Sequence, residues 1–134
     1  MIEMRRGANM LLIVLVLFVI VQQPSVFSQV SCGVANLRFQ HPDTTHPNEL
    51  IRTVSIVTAS CFFSSMVIVD LIDSRTSRIL SRAIWLYVPL GDAESPSLIN
   101  QAFAPDQLGF WPLTLLVSFA GSTSGVQFTI LIKN

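Results

Sequence analysis

Four side chains of metal-ligating type, His41, Asp43, His46 and Glu49, crowd into one stretch of the chain. Imidazole nitrogens and carboxylate oxygens at such intervals can gather around zinc or copper if their loop curls back on itself. The neighbouring residues oppose this. Each histidine stands directly before a proline, Pro42 or Pro47, and the residue before a proline is pushed toward extended geometry. The stretch reads as a polar surface loop. His41 and His46 are its metal candidates, and no cofactor is expected.

Other catalytic constellations are as thin. Asp70 and Asp73 would lie on opposite faces at one strand end, whereas paired catalytic carboxylates must flank a substrate and keep one proton between them. Asp73 suits a turn, and Asp70 could pair with Arg78 or Arg82 on a neighbouring strand. No Gly-x-Ser-x-Gly elbow occurs, and both histidines share one loop, which leaves no Ser-His-Asp arrangement. An enzyme is not expected.

Recognition is the remaining chemistry. Trp85, Tyr87, Phe110 and Trp111 are large rings of the kind that stack on the apolar faces of sugars when they are exposed. Trp111 begins an alternating apolar run and is read as core. Trp85 and Tyr87 are the better glycan or partner contacts. Arg75, Arg78 and Arg82 form the one local basic patch, suited to an acidic protein or glycan, or to a solvated edge that discourages pairing.

The elements that must hold these residues begin with the N-terminus. Arg5 and Arg6 precede an unbroken apolar run, Met10 to Val21, followed by a polar segment containing Pro24 and small residues. A basic start, a short apolar middle and a polar end make a secretory signal peptide, with cleavage expected after Ser28 and Ser31 as the next choice. The run is shorter than the ~20 apolar residues that span a bilayer. The expected organisation is therefore 1–28 signal peptide and 29–134 one secreted domain, with no membrane segment after cleavage.

That remainder keeps six of the eight basic residues and seven of the eight acidic ones, a net charge of minus one. Such a balance gives no electrostatic footprint for nucleic acid or an acidic membrane. Hydrophobic residues make up 51% of the full chain and charged residues only 12%. Cys32 and Cys61 both lie in the exported part, where an even count most simply means one disulfide. Closing that loop should stabilise the fold by roughly 3 kcal/mol in the chain-entropy model.

Hydrophobic periodicity is that of strands. Trp111, Leu113, Leu115, Val117 and Phe119 fall on every second position, the Gly121–Gly125 tract breaks the run, and Val126, Phe128, Ile130 and Ile132 resume it. This is a hairpin with one apolar face, which must be laid on a second layer. Val34–Phe39, Glu49–Phe63, Met66–Ile72, Ser77–Val88 and a short piece at Leu98–Phe103 supply further strands. Arg78 and Arg82 are expected on the face of Leu80, Ile84 and Leu86, with Trp85 and Tyr87 on the other. Which face of Glu49–Phe63 points inward is undetermined, because both carry apolar and small polar residues.

The sum is an all-β chain, an immunoglobulin-like antiparallel β-sandwich of about seven strands. The stretch Ala104–Leu113, with Gly109-Phe110-Trp111 at its end, followed by a strand, a Gly-Ser turn and Val126–Ile130, resembles the end of macroglobulin-type extracellular Ig-like domains. There a Gly-x-Trp opens the penultimate strand and a Phe-x-Ile strand closes the sandwich. The resemblance covers under a third of the exported chain, implies a fold and an extracellular setting, and brings no active-site residue with it. The expected function is a secreted, non-enzymatic binding or structural module, with a carbohydrate-binding module as the alternative. A protein partner or self-association is expected through the Met66–Val88 hairpin or the C-terminal strand, because the apolar content exceeds what one such domain must bury.

Overall fold

The computed structural model describes residues 32–89 and 93–134. The apolar run Met10–Val21 and the expected cut after Ser28 lie outside the described residues. The described residues form nine strands and no helix: β1 Gly33–Gln40, β2 Thr44–Thr45, β3 Leu50–Ser60, β4 Ser65–Asp73, β5 Arg78–Tyr87, β6 Ala93–Glu94, β7 Leu98–Phe103, β8 Gly109–Phe119 and β9 Ser122–Ile132. Two of them, β2 and β6, are two-residue pieces, which leaves seven principal strands. The five-stranded sheet runs β2-β9-β8-β4-β5. In the other sheet, β3 is flanked on one edge by β1 and on the other by β6 and β7.

The β8 alternation places Trp111, Leu113, Leu115, Val117 and Phe119 in the core, beside Val67, Val69 and Leu71 of β4. Facing them are Ile51, Val57 and Ala59 of β3 and Leu98 and Ala102 of β7. Each valine, leucine, isoleucine or phenylalanine among them contributes roughly 1.5–3 kcal/mol on burial. Thr53 and Ser55 lie on the same inward face of β3, fully buried among apolar neighbours. Two polar residues in the core row are what blurred the β3 pattern in the sequence. Asn100 of β7, opposite Thr53, is also fully buried, and its side-chain amide donates to the Val69 carbonyl at 3.0 Å. That bond joins the two sheets through the middle of the core.

Two local features differ from expectation. The β8–β9 turn is tighter than the Gly121–Gly125 tract: Phe119 pairs directly with Ser122, and Ala120 and Gly121 alone make the turn, with φ 50° and 85°. Positive φ at both positions gives the twist that suits a two-residue hairpin, so Ser122–Gly125 continue as strand. The second is a bulge in β5. Ser81 pairs with Leu71 and Ile79 with Ile72, which leaves Leu80 as an extra residue. The inserted residue reverses the alternation, so Arg78 and Arg82 fall on opposite faces and the shared face expected for them does not form.

Candidate interaction surface

The Cys32–Cys61 disulfide is formed, and the ladder continues from it directly, with Gly33 paired to Ser60. Beyond Cys61, Phe62 and Phe63 lie exposed, edge to face at 4.9 Å.

The metal candidates do not converge. His41 stacks on Phe128 with centroids 4.4 Å apart, and its Nδ1 donates to the Pro42 carbonyl at 3.0 Å. His46 Nδ1 donates instead to the Lys133 carbonyl at 2.9 Å. A carbonyl only accepts, so each Nδ1 carries the proton and neither lone pair there is free for a metal. Glu49 accepts from the His46 amide at 2.9 Å and from the Thr45 hydroxyl at 3.1 Å. The His46 amide bond, with the Thr45 bond second, holds the Glu49 carboxyl below its ordinary range. The loop also zips onto β9, with Leu131 N bonded to Asp43 O and Lys133 N to Thr45 O. It is thus a structural clasp on the last strand. Among the described residues, no three His, Cys, Asp or Glu side chains are grouped to hold a metal ion. A shallow depression of about 410 Å³ beside it is lined by Gln40, His41, Thr44, Glu49 and Arg52.

The aromatic platform is also not assembled. Tyr87 is 0% exposed, stacked edge-on against Phe119, and its hydroxyl is bonded to the Cys61 backbone. As an inward residue of β5 it cannot present a ring to sugar or partner. Trp111 is core as expected, with Nε1 donating to Asp73 at 3.1 Å. Trp85 is half-buried on the inward face, at right angles to Tyr87. Phe110 is exposed at the start of β8, with no ring packed on it among the described residues.

The arginines likewise separate. Arg75 sits in the β4–β5 turn and donates to the Phe110 carbonyl. Arg78 lies opposite Asp73 in the strand register, exposed at the start of β5 and in the row of inward residues. Arg82 grips Asp70 with two of its three nitrogens, Nε to Oδ1 at 2.8 Å and a terminal NH2 to Oδ2 at 3.0 Å. The Asp70 side chain is 6% exposed and that of Arg82 49%. The carboxylate's hydrogen bonds, more than its charge, raise the Arg82 pKa above its ordinary value.

What surrounds that ion pair belongs to the Met66–Val88 hairpin, one of the two places where the sequence leads to an expected partner or self-association. Strand register places Met66 beside Leu86, Ile68 beside Ile84, Asp70 beside Arg82 and Ile72 beside Ile79 on the outer face of the five-stranded sheet. Leu116 of β8 lies beside Asp70 on the same face. Met66, Ile79, Ile84 and Leu86 are 53%, 48%, 54% and 60% exposed. Ile68, Ile72 and Leu116 are half-buried between them. A contiguous apolar surface therefore covers β4 and β5, and the Asp70–Arg82 charge pair within it is internally neutralised. The signal for it in the sequence is the apolar character of both faces of Met66–Ile72, broken only at Asp70.

The sequence matches no known family model and no curated protein. Solved structures do resemble it. The crystal structure of the CARDB domain of the PF1109 protein in complex with di-metal ions, from Pyrococcus furiosus, superposes with a TM-score of 0.53 at 14% identity, over 77% of this chain and 90% of that one. The solution NMR structure of the CARDB domain of PF1109 gives 0.51 at 16% identity, over 76% of this chain and 95% of that one. This likeness establishes an Ig-like β-sandwich. It does not single out the macroglobulin type. The metal ions belong to the description of that protein, and the loop groups of this chain are turned to other partners.

Proposed function

We propose that this chain is a secreted, non-enzymatic binding or structural module whose contact surface is the outer β4–β5 face. The observation that carries the reading is the block of Met66, Ile68, Ile84 and Leu86, neighbours by register and open to solvent. Contiguous apolar surface on a sheet face is costly to leave in water and marks an interaction site. The Asp70–Arg82 pair sits within it with its charges satisfied, so covering the face strands no lone ion. Export, with residues 1–28 removed as a signal peptide, belongs to the same proposal and rests on the N-terminal pattern and on the pairing of both cysteines. The sugar-binding alternative is not retained, because Tyr87 and Trp111 lie in the core.

The test is sedimentation velocity of the processed chain across the micromolar range, beside the Leu86→Lys variant. The expected result is concentration-dependent association that the lysine abolishes. A monomer at every concentration, unchanged by the substitution, contradicts the reading.

A further inference from the structure

Among the described residues β5 pairs only with β4, so its other edge lies open along the five-stranded sheet. Open edges invite another strand, and proteins blunt them with charges, bulges or proline. On β5 those devices are confined to the first half: Arg78, the bulge at Leu80 and Arg82. The second half, Ala83-Ile84-Trp85-Leu86, has no charge, no glycine and no proline, and is rich in residues that favour strands. Pro89 comes only after the strand has ended. The guarded half is already occupied with the other sheet, for Ser81 Oγ accepts from the Asn100 side chain at 3.2 Å and from the Gln101 amide at 3.3 Å.

Building on the reading above, we propose that the occupant of this edge is the same strand of a second copy, paired antiparallel about a twofold axis at Trp85. The two five-stranded sheets then join into one. Directly opposed residues of an antiparallel pair share a face, so the numbers of paired residues sum to an even value. With Trp85 opposite its own copy, Ile84 faces Leu86 of the other chain, twice over. Shifted one way, Arg82 would face Leu86 and a charge would enter the ladder on both sides. Shifted the other way, Ile84 would face Val88, beyond the end of β5. The Trp85 register is the longest that leaves Arg82 with Asp70 and opposes apolar residues only.

The neighbouring strand supports the same register. Met66 lies beside Leu86 and Ile68 beside Ile84. Across the junction, each row therefore reads Met66, Leu86, then Ile84 and Ile68 of the second copy, and the twofold repeats it. Four apolar side chains per row become one continuous ridge. On the inner face, the half-buried Trp85 rings of the two copies come together and cover one another. Each copy presents no net charge here, because Arg82 is held by Asp70. The contact is self-complementary, as a closed twofold interface must be.

The test is disulfide capture in the processed chain under mild oxidation, with Ile84→Cys and Leu86→Cys as separate variants and as an equimolar mixture. Directly opposed residues bring their β-carbons within reach of a disulfide, whereas positions two residues off do not. The expected result is a covalent dimer that forms at least tenfold faster in the mixture than in either variant alone. Faster capture in Ile84→Cys alone, or in Leu86→Cys alone, overturns this register. Association of the unmodified chain that Leu86→Lys abolishes, without preferential capture in the mixture, overturns edge pairing and leaves the face as a contact surface. A strictly monomeric chain with no capture overturns both.

Discussion

The Tyr87 hydroxyl accepts a hydrogen bond from the Cys61 amide at 3.0 Å and returns one to the Cys61 carbonyl at 3.1 Å. One phenol thus satisfies both backbone groups of the residue that anchors the disulfide, and it does so inside the core. β5, at the far edge of one sheet, is thereby tied to the end of β3 in the other. Replacing Tyr87 by phenylalanine keeps the ring against Phe119 and leaves two buried backbone groups unpaired, each worth about 1–3 kcal/mol. The expected outcome is a urea midpoint well below that of the parent, with the disulfide still formed by mass.

The Asp70–Arg82 pair gives an asymmetric expectation. Removing Arg82, as in Arg82→Met, leaves a carboxylate almost wholly enclosed with no cation, which is strongly unfavourable. Removing both charges, Asp70→Leu with Arg82→Met, extends the apolar surface around them and leaves no buried ion. Denaturation curves should show the single variant clearly less stable and the double variant recovering most of the loss. A double variant as unstable as the single one would contradict this account of the pair.

Glu49 sets a pH dependence for the clasp on β9. Its carboxyl titrates below the ordinary 4.5 because the folded loop favours the ionised form, chiefly through the His46 amide. The contribution is therefore complete above pH 4.5 and drains away as pH falls through the lowered folded value. The His46 amide proton, followed by NMR during acid titration, should shift and lose protection in that acidic window. In Glu49→Gln the same signal should be flat there.

Ala120 carries φ 50° in the β8–β9 turn, a conformation that asparagine or glycine adopts with less strain. Ala120→Asn is expected to raise stability by about 0.5–1 kcal/mol, read as a higher melting temperature with unchanged strand signal. A lower melting temperature would mean that the turn does not have the geometry described.

Much of the fold was legible from local pattern. The alternation of Trp111 to Phe119 marked the core strand, and the short piece expected at Leu98–Phe103 is β7. The Cys32–Cys61 bond was expected from the even cysteine count and the export pattern of the N-terminus, and the bond is formed. What was not legible depended on a single inserted residue or on a partner distant in sequence. The bulge at Leu80 carries no composition signal, yet it separates Arg78 from Arg82 and dissolves the basic patch. Tyr87 reads as an amphipathic surface ring until the Cys61 backbone is found above its hydroxyl. Thr53 and Ser55 hid the core row of β3 because polar residues stand in it. Both faces of Met66–Ile72 are apolar whether a second layer covers them or a partner does, and local sequence does not distinguish the two.

In the arrangement proposed above, β5 is where one molecule meets another. Hydrogen–deuterium exchange on the peptide spanning Ala83–Val88, at dilute and at concentrated protein, reads this without any substitution. Protection of its backbone amides should rise several-fold at high concentration, while peptides from the outer face of β3 stay unchanged. Equal exchange at both concentrations, in a chain that remains folded, would contradict the account.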